Sequence, residues 1–250
     1  MRQSDRLDTI LERLSDNGSV AVTALARDLG VSMATIRRDL ELLESQRLLS
    51  RTHGGAVSHG LLYELPLRYR AGRHEAEKRR IADAAAARLG DARVVGLTGG
   101  TTTTEVARRI ADRTMTVVTN ALNIASELAV RPNLKLVVTG GVARPESYEL
   151  VGPMADATLD GLNLDVVFVG VDGASRTGMT THHEVEAHTN RLMIQRARRV
   201  IVVCDASKIG RLALAVICPA HDVDELITDS AASEPALGEL RAAGIDVVVV

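Results

Sequence analysis

Apolar residues with helical spacing dominate the start of the chain. They recur at three- and four-residue intervals, which predicts a helix over residues 2–17 with one buried face that ends at Gly18. The residues of this face are Leu7, Ile10, Leu11 and Leu14. A shorter helix is predicted next, with Thr23 as its N-cap and Gly30 at the sharp turn behind it. Its apolar side is formed by Ala24, Leu25 and Leu29.

A third helix is predicted from Ser32 to about Ser45. At about 100° per residue, its apolar residues gather on one side. That side holds Ile36, Leu40 and Leu43, the opposite side holds Ala34, Arg38, Glu41 and Ser45, and Thr35 and Arg37 lie on the flanks. Residues 48–57 then favour two short strands around a glycine turn, which is the pattern of a wing.

Strand-like and helical segments alternate over the rest of the chain. The strand-like segments are residues 94–97, 116–119, 134–139, 166–169, 200–204, 226–228 and 247–250. This alternation predicts an α/β domain of Rossmann-like type, with a mainly parallel sheet covered by helices. Residues 59–75 lack a clear period and include Pro66, so we expect them to link a domain of residues 1–58 to one of residues 76–250.

The composition is that of an ordinary globular protein, with 46% hydrophobic and 25% charged residues. The start of the chain has no apolar segment behind its charges, and no run reaches the roughly 18 apolar residues that a membrane span requires. We therefore expect a cytoplasmic protein without a membrane partner. Cys204 and Cys218 are expected to be reduced thiols in the core.

The overall charge does not indicate a nucleic-acid partner. The formal net charge is −2, and residues 1–60 hold eight arginines against eight carboxylates. Any affinity for DNA must therefore come from local placement of charge. With one Phe, three Tyr and no Trp, the chain lacks a stacking platform for single strands or RNA, so a nucleic-acid partner would be duplex DNA.

Two segments of the first domain resemble the winged helix-turn-helix of the DeoR family. They are TIRRDL at residues 35–40, preceded by VSM at residues 31–33, and RTHGGA at residues 51–56. The resemblance spans nearly all of residues 5–57. Arg47 is a departure, because the family usually has a glycine there that ends the recognition helix.

A recognition helix places its first turns in the major groove, so its early polar side chains reach phosphates and base edges. The DNA-binding residues expected on this basis are Ser32, Thr35, Arg37 and Arg38, with Arg51 and His53 of the wing. The pattern leaves open which arginine reads a base, although the flank position of Arg37 favours a phosphate. The alternative is a helical protein-interaction module with solvated arginines.

A glycine- and threonine-rich turn follows the strand of residues 94–97. Its residues 98–105 read TGGTTTTE and lead into a helix. Unobstructed backbone N–H groups, hydroxyl donors and a helix N-terminus favour an anion such as a phosphate. Other polar turns stand at the carboxyl ends of strands, where open α/β sheets hold ligands. The effector-binding residues expected here are Gly99, Gly100, Thr101, Thr102, Thr103, Thr119, Asn120, Gly140, Gly141, Asp172, Asp205 and Lys208.

These turns resemble the sensor domain of the same family across residues 76–230. The matching motifs are GGTTT, the TN pair, the TGG turn, VG at residues 151–152, and DASK at residues 205–208. The resemblance implies a phosphorylated sugar as the effector. Lys208 would supply a cation for it, and Asp172 or Asp205 could accept sugar hydroxyls. The alternative for Lys208 is a surface lysine that pairs with Asp205.

The sensor domain also looks like ribose-5-phosphate isomerase, which makes an enzyme the competing hypothesis. Ser175 replaces an aspartate of that enzyme, and Asn190 falls where its catalytic glutamate stands. An amide cannot take up the proton that isomerisation moves, so we expect no catalytic residues. Glu184 and Glu186 lie close enough that a shifted alignment would restore a base. The nearby His182, His183 and His188 are not expected to bind a metal, and no cofactor is expected.

The resemblance to the DeoR family implies a transcriptional regulator, expected to repress a carbohydrate catabolic operon under the control of a phosphorylated sugar. Helix-turn-helix proteins usually read paired half-sites, so a homodimer or homotetramer is expected. Besides the residual isomerase, a metabolite-binding protein that does not use its DNA domain is an alternative. Activation in place of repression stays open.

Overall fold

The computed structural model describes residues 2–46, 48–58 and 66–250 of the chain. It divides into two compact units, Met1–Leu65 and Pro66–Val250, which we treat separately. Arg47 and residues 59–65 of the predicted linker lie outside the described residues.

The first unit is a helical domain with a small antiparallel sheet. Its elements are α1 (Gln3–Asn17), β1 (Ser19–Ala21), α2 (Val22–Leu29), α3 (Met33–Ser45), β2 (Ser50–Thr52) and β3 (Gly55–Val57). The strands are ordered β1-β3-β2, and β2 and β3 form the predicted wing. The strand β1, which has three residues and no alternating pattern, was not predicted.

The predicted ends of the helices are largely confirmed. Gly18 and Gly30 end α1 and α2 with φ of 71° and 64°, a conformation that costs glycine little. The prediction of Thr23 as an N-cap is wrong, because α2 begins at Val22 and Ala21 is its N-cap. The Val22 N–H instead donates to the Gly54 carbonyl at 2.8 Å, so the wing turn satisfies the start of this helix.

The second unit contains the remaining elements. Its helices are α4 (Leu67–Arg70), α5 (Glu75–Ala87), α6 (Thr101–Ile110), α7 (Leu122–Leu128), α8 (Pro153–Asp160), α9 (Glu184–Gln195) and α10 (Glu234–Ala242). Its strands are β4 (Val94–Leu97), β5 (Met115–Thr119), β6 (Leu134–Val138), β7 (Val142–Ala143), β8 (Leu150–Val151), β9 (Val166–Val169), β10 (Gly173–Ser175), β11 (Gly178–Thr181), β12 (Val200–Val203), β13 (Ala215–Cys218), β14 (Glu225–Thr228) and β15 (Asp246–Val249).

The predicted parallel sheet is confirmed. Within the described residues it has seven strands in the order β15-β14-β12-β9-β4-β5-β6, and each neighbouring pair is parallel. From β4 the chain proceeds outward through β5 and β6, whereas β9 and the later strands extend the sheet on the other side. The order therefore reverses between β4 and β9, and open sheets of this type bind ligands at such a switch point.

Helices cover both faces of the sheet, as expected for a parallel sheet. One buried cluster joins α5, α6 and α7 to strand residues such as Val117 and Phe168. The other joins α8, α9 and α10 to residues such as Val118 and Val167. Alternate side chains of β5 and β9 thus enter opposite cores, which explains why these strands read as continuous apolar runs.

Two small antiparallel pairings lie beside the main sheet and were not predicted. β7 pairs with β8, and β10, β11 and β13 form a separate sheet. Gly178 at the start of β11 has φ of 140°, and a Cβ there would lie 2.2 Å from the Cys218 carbonyl oxygen. Only glycine allows this close approach of backbones, a requirement that the period of apolar residues does not reveal.

Both cysteines are buried free thiols, as predicted. Burial raises the pKa of Cys218 to about 12 and raises the pKa of Cys204 further. Because the thiolate is the reactive form, we expect both side chains to resist a thiol reagent in the native protein at pH 8 and to react fully in denaturant. Stoichiometric labelling of the native chain would contradict this assignment.

Within the described residues, no helix combines the length and apolar character needed to cross a membrane.

Candidate functional site

The exposed face of α3 is the candidate nucleic-acid interface. Ile36, Leu40 and Leu43 are buried in the first unit, as predicted. Arg37 and Arg38 are exposed near the start of the helix, beside Met33 and Ala34. The first two turns of α3 thus present two guanidinium groups and small or apolar side chains, which is the chemistry that phosphates and base edges accept.

Ser32 and Thr35 shape the start of this helix. The Ser32 hydroxyl oxygen accepts the Thr35 N–H at 3.1 Å, and the two hydroxyl oxygens are 2.9 Å apart. Ser32 is therefore the N-cap of α3, at the predicted start of this helix. Its role as a DNA contact stays a prediction, as do those of Thr35, Arg37 and Arg38.

Arg51 ties the wing to α3. Its guanidinium lies 2.7 Å from Glu41 and 3.6 Å from Glu44, and its backbone N–H donates to Glu44 at 3.0 Å. Arg51 thus neutralises Glu41 and Glu44, two of the three carboxylates on α3, and the third, Asp39, faces inward, so Arg37 and Arg38 are the charges of its exposed face. His53 lies exposed in the wing turn. DNA contacts by Arg51 and His53 stay predictions.

A buried ion pair that the sequence analysis missed holds α3 against α1. Arg6 Nε lies 2.5 Å from one Asp39 oxygen, and Arg6 Nη2 donates to the other at 3.0 Å. The exposed fraction of the residue is 8% for Arg6 and 1% for Asp39. The arrangement is bidentate, so it fixes the rotation of α3 as well as its distance from α1. Asp39 sits on the predicted inner side of its helix, but its partner is 33 residues away and no local pattern reveals it.

The candidate effector site lies at the switch point of the sheet. Gly99 and Gly100 connect β4 to α6, and Gly170 follows the adjacent strand β9. The first helical N–H bonded within α6 is that of Thr104, to the Gly100 carbonyl at 3.1 Å. The N–H groups of the residues before it point out of the helix end, where the helix dipole favours an anion. The predicted residues Thr101, Thr102 and Thr103 form this first turn.

Glycines are required here by close packing. A Cβ on Gly170 would lie 2.6 Å from the Gly99 carbonyl oxygen, and a Cβ on Gly99 would lie 2.4 Å from the Glu149 carboxylate. Gly100 has φ of 130°, a conformation that other residues rarely adopt. The hydroxyls of Thr103 and Thr104 donate to the Gly100 carbonyl and lock the turn.

Glu149 is a buried carboxylate at this site that the sequence analysis missed. Its oxygen accepts from Asn120 Nδ2 at 3.1 Å, and the same Nδ2 lies 3.2 Å from Asn190 Oδ1. Asn120 is fully buried, and its Oδ1 has no hydrogen-bond partner among the described residues. An unpartnered buried oxygen of this kind can accept a hydroxyl from a ligand.

Asp172 is the centre of a charged cluster two residues after Gly170. Its Oδ1 lies 3.1 Å from Arg70 Nη1 and 3.5 Å from Lys208 Nζ, and its Oδ2 accepts from the Thr181 hydroxyl at 3.0 Å. Burial opposes ionisation of Asp172, but the charges of Arg70 and Lys208 outweigh it and hold its pKa well below the usual value. The structure therefore brings the predicted residues Asp172 and Lys208 together.

Asp205 and Lys78 complete this cluster. Asp205 accepts the Ser207 N–H at 3.0 Å and so caps the short turn that carries Lys208. Lys78 is buried, and its ammonium donates to the Arg70 and Arg73 carbonyls at 3.0 and 2.5 Å. Burial lowers the pKa of Lys78 to about 8, against the opposing charge of Asp205. Lys208 thus pairs with Asp172 at the site, and Asp205 organises the turn beneath it.

Gly140, Gly141 and Thr119 lie further from the switch point. The two glycines follow the edge strand β6, which β5 separates from β4. A Cβ on Gly141 would lie 2.7 Å from the Val151 carbonyl oxygen in β8. Thr119 is buried, and its hydroxyl donates to the Leu97 carbonyl at 2.8 Å. Effector contacts by these residues stay predictions.

The side chains considered for isomerase or metal chemistry have different surroundings. Asn190 contacts Asn120, Glu186 pairs with Arg144 at 3.0 Å, and Glu184 is exposed. The nearest carboxylates of His182 and His188 are different ones, Asp172 and Asp156. Across the described parts of the chain, no group of three or more His, Cys, Asp or Glu side chains is placed to hold a metal ion.

Two family models match the chain. A DeoR-like helix-turn-helix domain matches residues 6–60, and a DeoR C-terminal sensor domain matches residues 73–230. Together they cover most of the sequence and fall on the two candidate sites.

Curated relatives match over nearly the whole length. The HTH-type transcriptional regulator GlpR of Haloferax volcanii is 37% identical over 99% of this chain and 98% of its own length. A putative aga operon transcriptional repressor of Escherichia coli O157:H7 is 36% identical over 99% of this chain and 94% of its length. The glycerol-3-phosphate regulon repressor of Escherichia coli K12 is 32% identical, with 92% coverage of each chain.

A solved structure of ribose-5-phosphate isomerase A from Methanocaldococcus jannaschii is also similar. It shares 20% identity with a TM-score of 0.40, over 57% of this chain and 55% of that chain. This likeness is too low to bear on function.

Proposed function

The chain belongs to the DeoR family of transcriptional regulators, and from this membership we propose that it represses a carbohydrate catabolic operon in response to a phosphorylated sugar. The printed names of its relatives include repressors of an aga operon and of a glycerol-3-phosphate regulon. The protein acts on chromosomal duplex DNA, and therefore in the cytoplasm.

The proposal is supported by two adjacent features at the switch point. The first is an anion cradle, formed by Gly99, Gly100 and the first turn of α6, and the second is the charged cluster around Asp172. The Gly99–Gly100 turn and the first turn of α6 offer N–H groups. Lys208 and Arg70 offer positive charge at Asp172, which lies two residues after Gly170. Asn120 supplies a free acceptor for a hydroxyl. A dianionic group attached to a polyol matches this combination of donors, cations and acceptor.

We propose that α3 is the recognition helix, which contacts the bases and phosphates of the operator. Arg37 and Arg38 are its exposed cations, and the ion pairs of Arg51 with Glu41 and Glu44 remove the repulsion that these carboxylates would exert on phosphate. A single helix of this length reads only a few base pairs, so a homodimer or homotetramer that reads paired half-sites is part of the proposal.

The effector acts by binding one functional state of the regulator more tightly than the other. A coupling free energy of about 1–3 kcal/mol, typical of allosteric proteins, changes operator affinity by about 5- to 150-fold. No change of fold is required for an effect of this size.

The test is a fluorescence-anisotropy titration of the full-length protein with the DNA upstream of its own gene. The titration is repeated with glycerol 3-phosphate, fructose 6-phosphate, glucose 6-phosphate and ribose 5-phosphate. We expect binding in the nanomolar range and at least a fivefold weakening by one of these compounds. Tight DNA binding that no phosphorylated sugar alters would contradict the effector part, and absence of sequence-specific binding would contradict the whole proposal.

Replacing Lys208 by alanine separates the effector from the DNA. We expect Lys208→Ala to bind the operator as the wild type does but to need at least tenfold more effector for release, because a charge-assisted contact is lost. Lys135→Ala, at an exposed position of β6, is the matched control and should respond normally. Equal effector responses in both variants would remove Lys208 from the site.

A further inference from the structure

Arg70 lies in the effector site although the sequence places it in the connecting segment. It ends α4, which has four residues and follows directly on Pro66. Its Nη1 is 3.1 Å from Asp172 Oδ1, the same oxygen that Lys208 Nζ approaches at 3.5 Å. The exposed fractions of the Arg70 and Asp172 side chains are 18% and 9%. Two cations thus share one nearly buried carboxylate oxygen.

Further charged side chains lie around this oxygen. Within the described residues, the cations of the cluster are Arg70, Lys78 and Lys208, and its carboxylates are Asp172 and Asp205. Lys78 is also within electrostatic reach of Arg73. A phosphoryl group that approaches Arg70 and Lys208 would lower the repulsion between these cations, so the cluster is suited to an anionic ligand.

The cluster and the cradle are adjacent. Gly170, two residues before Asp172, contacts Gly99 so closely that a Cβ would lie 2.6 Å from the Gly99 carbonyl oxygen. The Gly170 N–H also donates to the Thr98 hydroxyl at 2.9 Å. Two residues of extended chain span about 7 Å, which is within the reach of an arginine side chain. A phosphoryl group on the cradle is therefore close enough to compete with Asp172 for Arg70.

We propose that Arg70 is an effector-binding residue that exchanges its Asp172 partner for the phosphoryl group of the ligand. This inference rests on the proposed function and extends it to a residue outside the sensor sheet. The planar guanidinium can give two parallel hydrogen bonds to a phosphoryl group, a geometry that the ammonium of Lys208 does not offer.

The exchange changes how α4 is anchored. Three polar contacts hold α4. The Leu67 N–H donates to the Glu146 carbonyl at 2.7 Å, and the Lys78 ammonium donates to the Arg70 carbonyl. The third is the ion pair of the Arg70 side chain with Asp172. Binding of the ligand alters the third of these contacts directly. Because α4 is the first described element after residues 59–65, the altered contact lies on the covalent path to the first unit. Arg70 thereby links occupancy of the site to the DNA-binding unit.

The first experiment compares two arginines of the same short helix. Arg70→Met removes the charge at the site, and Arg68→Met removes an exposed charge that lies over the Tyr69 ring at 4.9 Å. Calorimetric titrations of full-length protein use inorganic phosphate and the sugar phosphate that releases the operator. We expect Kd for both ligands to rise at least tenfold in Arg70→Met and to stay within twofold of wild type in Arg68→Met. Unchanged Kd values in Arg70→Met would overturn the inference.

A second variant tests the exchange of partners. In Asp172→Asn, Arg70 and Lys208 lose their competing carboxylate, so inorganic phosphate should bind at least threefold more tightly and raise Tm by more than it does in the wild type. Unchanged or weaker phosphate binding in a folded Asp172→Asn protein would show that no exchange occurs. Arg70→Lys keeps the positive charge but loses the planar guanidinium that gives two parallel hydrogen bonds. Its Kd for inorganic phosphate should lie between those of the wild type and Arg70→Met.

The outcomes separate this inference from the proposed function. If a sugar phosphate releases the operator from wild type and from Arg70→Met at the same concentration, the role of Arg70 is refuted and the regulator function stands. If the wild type binds neither inorganic phosphate nor any sugar phosphate, both this inference and the effector part of the proposed function are refuted.

Discussion

Joint replacement of Arg37 and Arg38 by alanine is expected to weaken operator binding by at least about 100-fold. Each exposed arginine contributes roughly 1–3 kcal/mol when it contacts a guanine or a phosphate, and both contacts are lost together. The remaining exposed residues at the start of α3, such as Met33 and Ala34, carry no charge. Anisotropy titrations at several salt concentrations measure the effect, and the slope of log K against log salt should fall by up to about two for each subunit bound to the operator.

The control variant also loses two positive charges, but from the surface of the second unit. Arg198→Ala with Arg241→Ala deletes two exposed arginines of the second unit, one of them 84% exposed. This variant should bind the operator nearly as the wild type does. Equal losses in the two double variants would show that bulk charge, and not the face of α3, determines affinity.

Replacement of Asp39 by alanine is expected to destabilise the first unit by about 3 kcal/mol and to abolish operator binding. It leaves the nearly buried Arg6 guanidinium without its bidentate partner, and breaking a buried ion pair from one side is costly. Hydrogen exchange followed by mass spectrometry reports each unit separately in the full chain. Amides of α1 and α3 should exchange about 100-fold faster, whereas those of the seven-stranded sheet should not change.

Two further variants identify the cause. Asp28→Ala breaks the ion pairs of Asp28 with Arg13 and Arg27, in which the side chains are substantially exposed, and should leave exchange almost unchanged. Arg6→Met with Asp39→Leu replaces both charges by apolar groups and should restore much of the protection. Normal exchange in Asp39→Ala would mean that the pair does not position α3.

The sequence predicts the elements of this fold well because their signals are local. The spacing of Ile36, Leu40 and Leu43 follows from the helical period alone, and the run Val166–Val169 from burial on both faces of a parallel strand. Gly18 and Gly30 mark helix ends because glycine adopts the positive φ of such an end at little cost. The GGTTT turn is also local, since it stands between a strand and a helix.

Contacts between distant segments account for what the sequence could not predict. The partner of Asp39 is 33 residues away, and Arg70 is 102 residues from Asp172. Glu149 lies directly before β8, in the connection between β7 and β8, two strands of two residues each whose pattern is too short to detect. The start of α2 was misplaced for the same reason, because Gly54 of the wing, and not Thr23, satisfies it. Each of these features depends on a contact between residues that are distant in the sequence, which a local pattern does not show.

We propose that the protein binds operator DNA through α3 and a phosphorylated sugar at the switch point, and that these two events are coupled. Calorimetric titration of the sugar phosphate into the free protein and into its operator complex tests this claim most directly. Linkage requires operator DNA to weaken sugar-phosphate binding by the same factor, about 5- to 150-fold, by which the sugar phosphate weakens operator binding. Identical sugar-phosphate affinities with and without operator DNA would contradict the account.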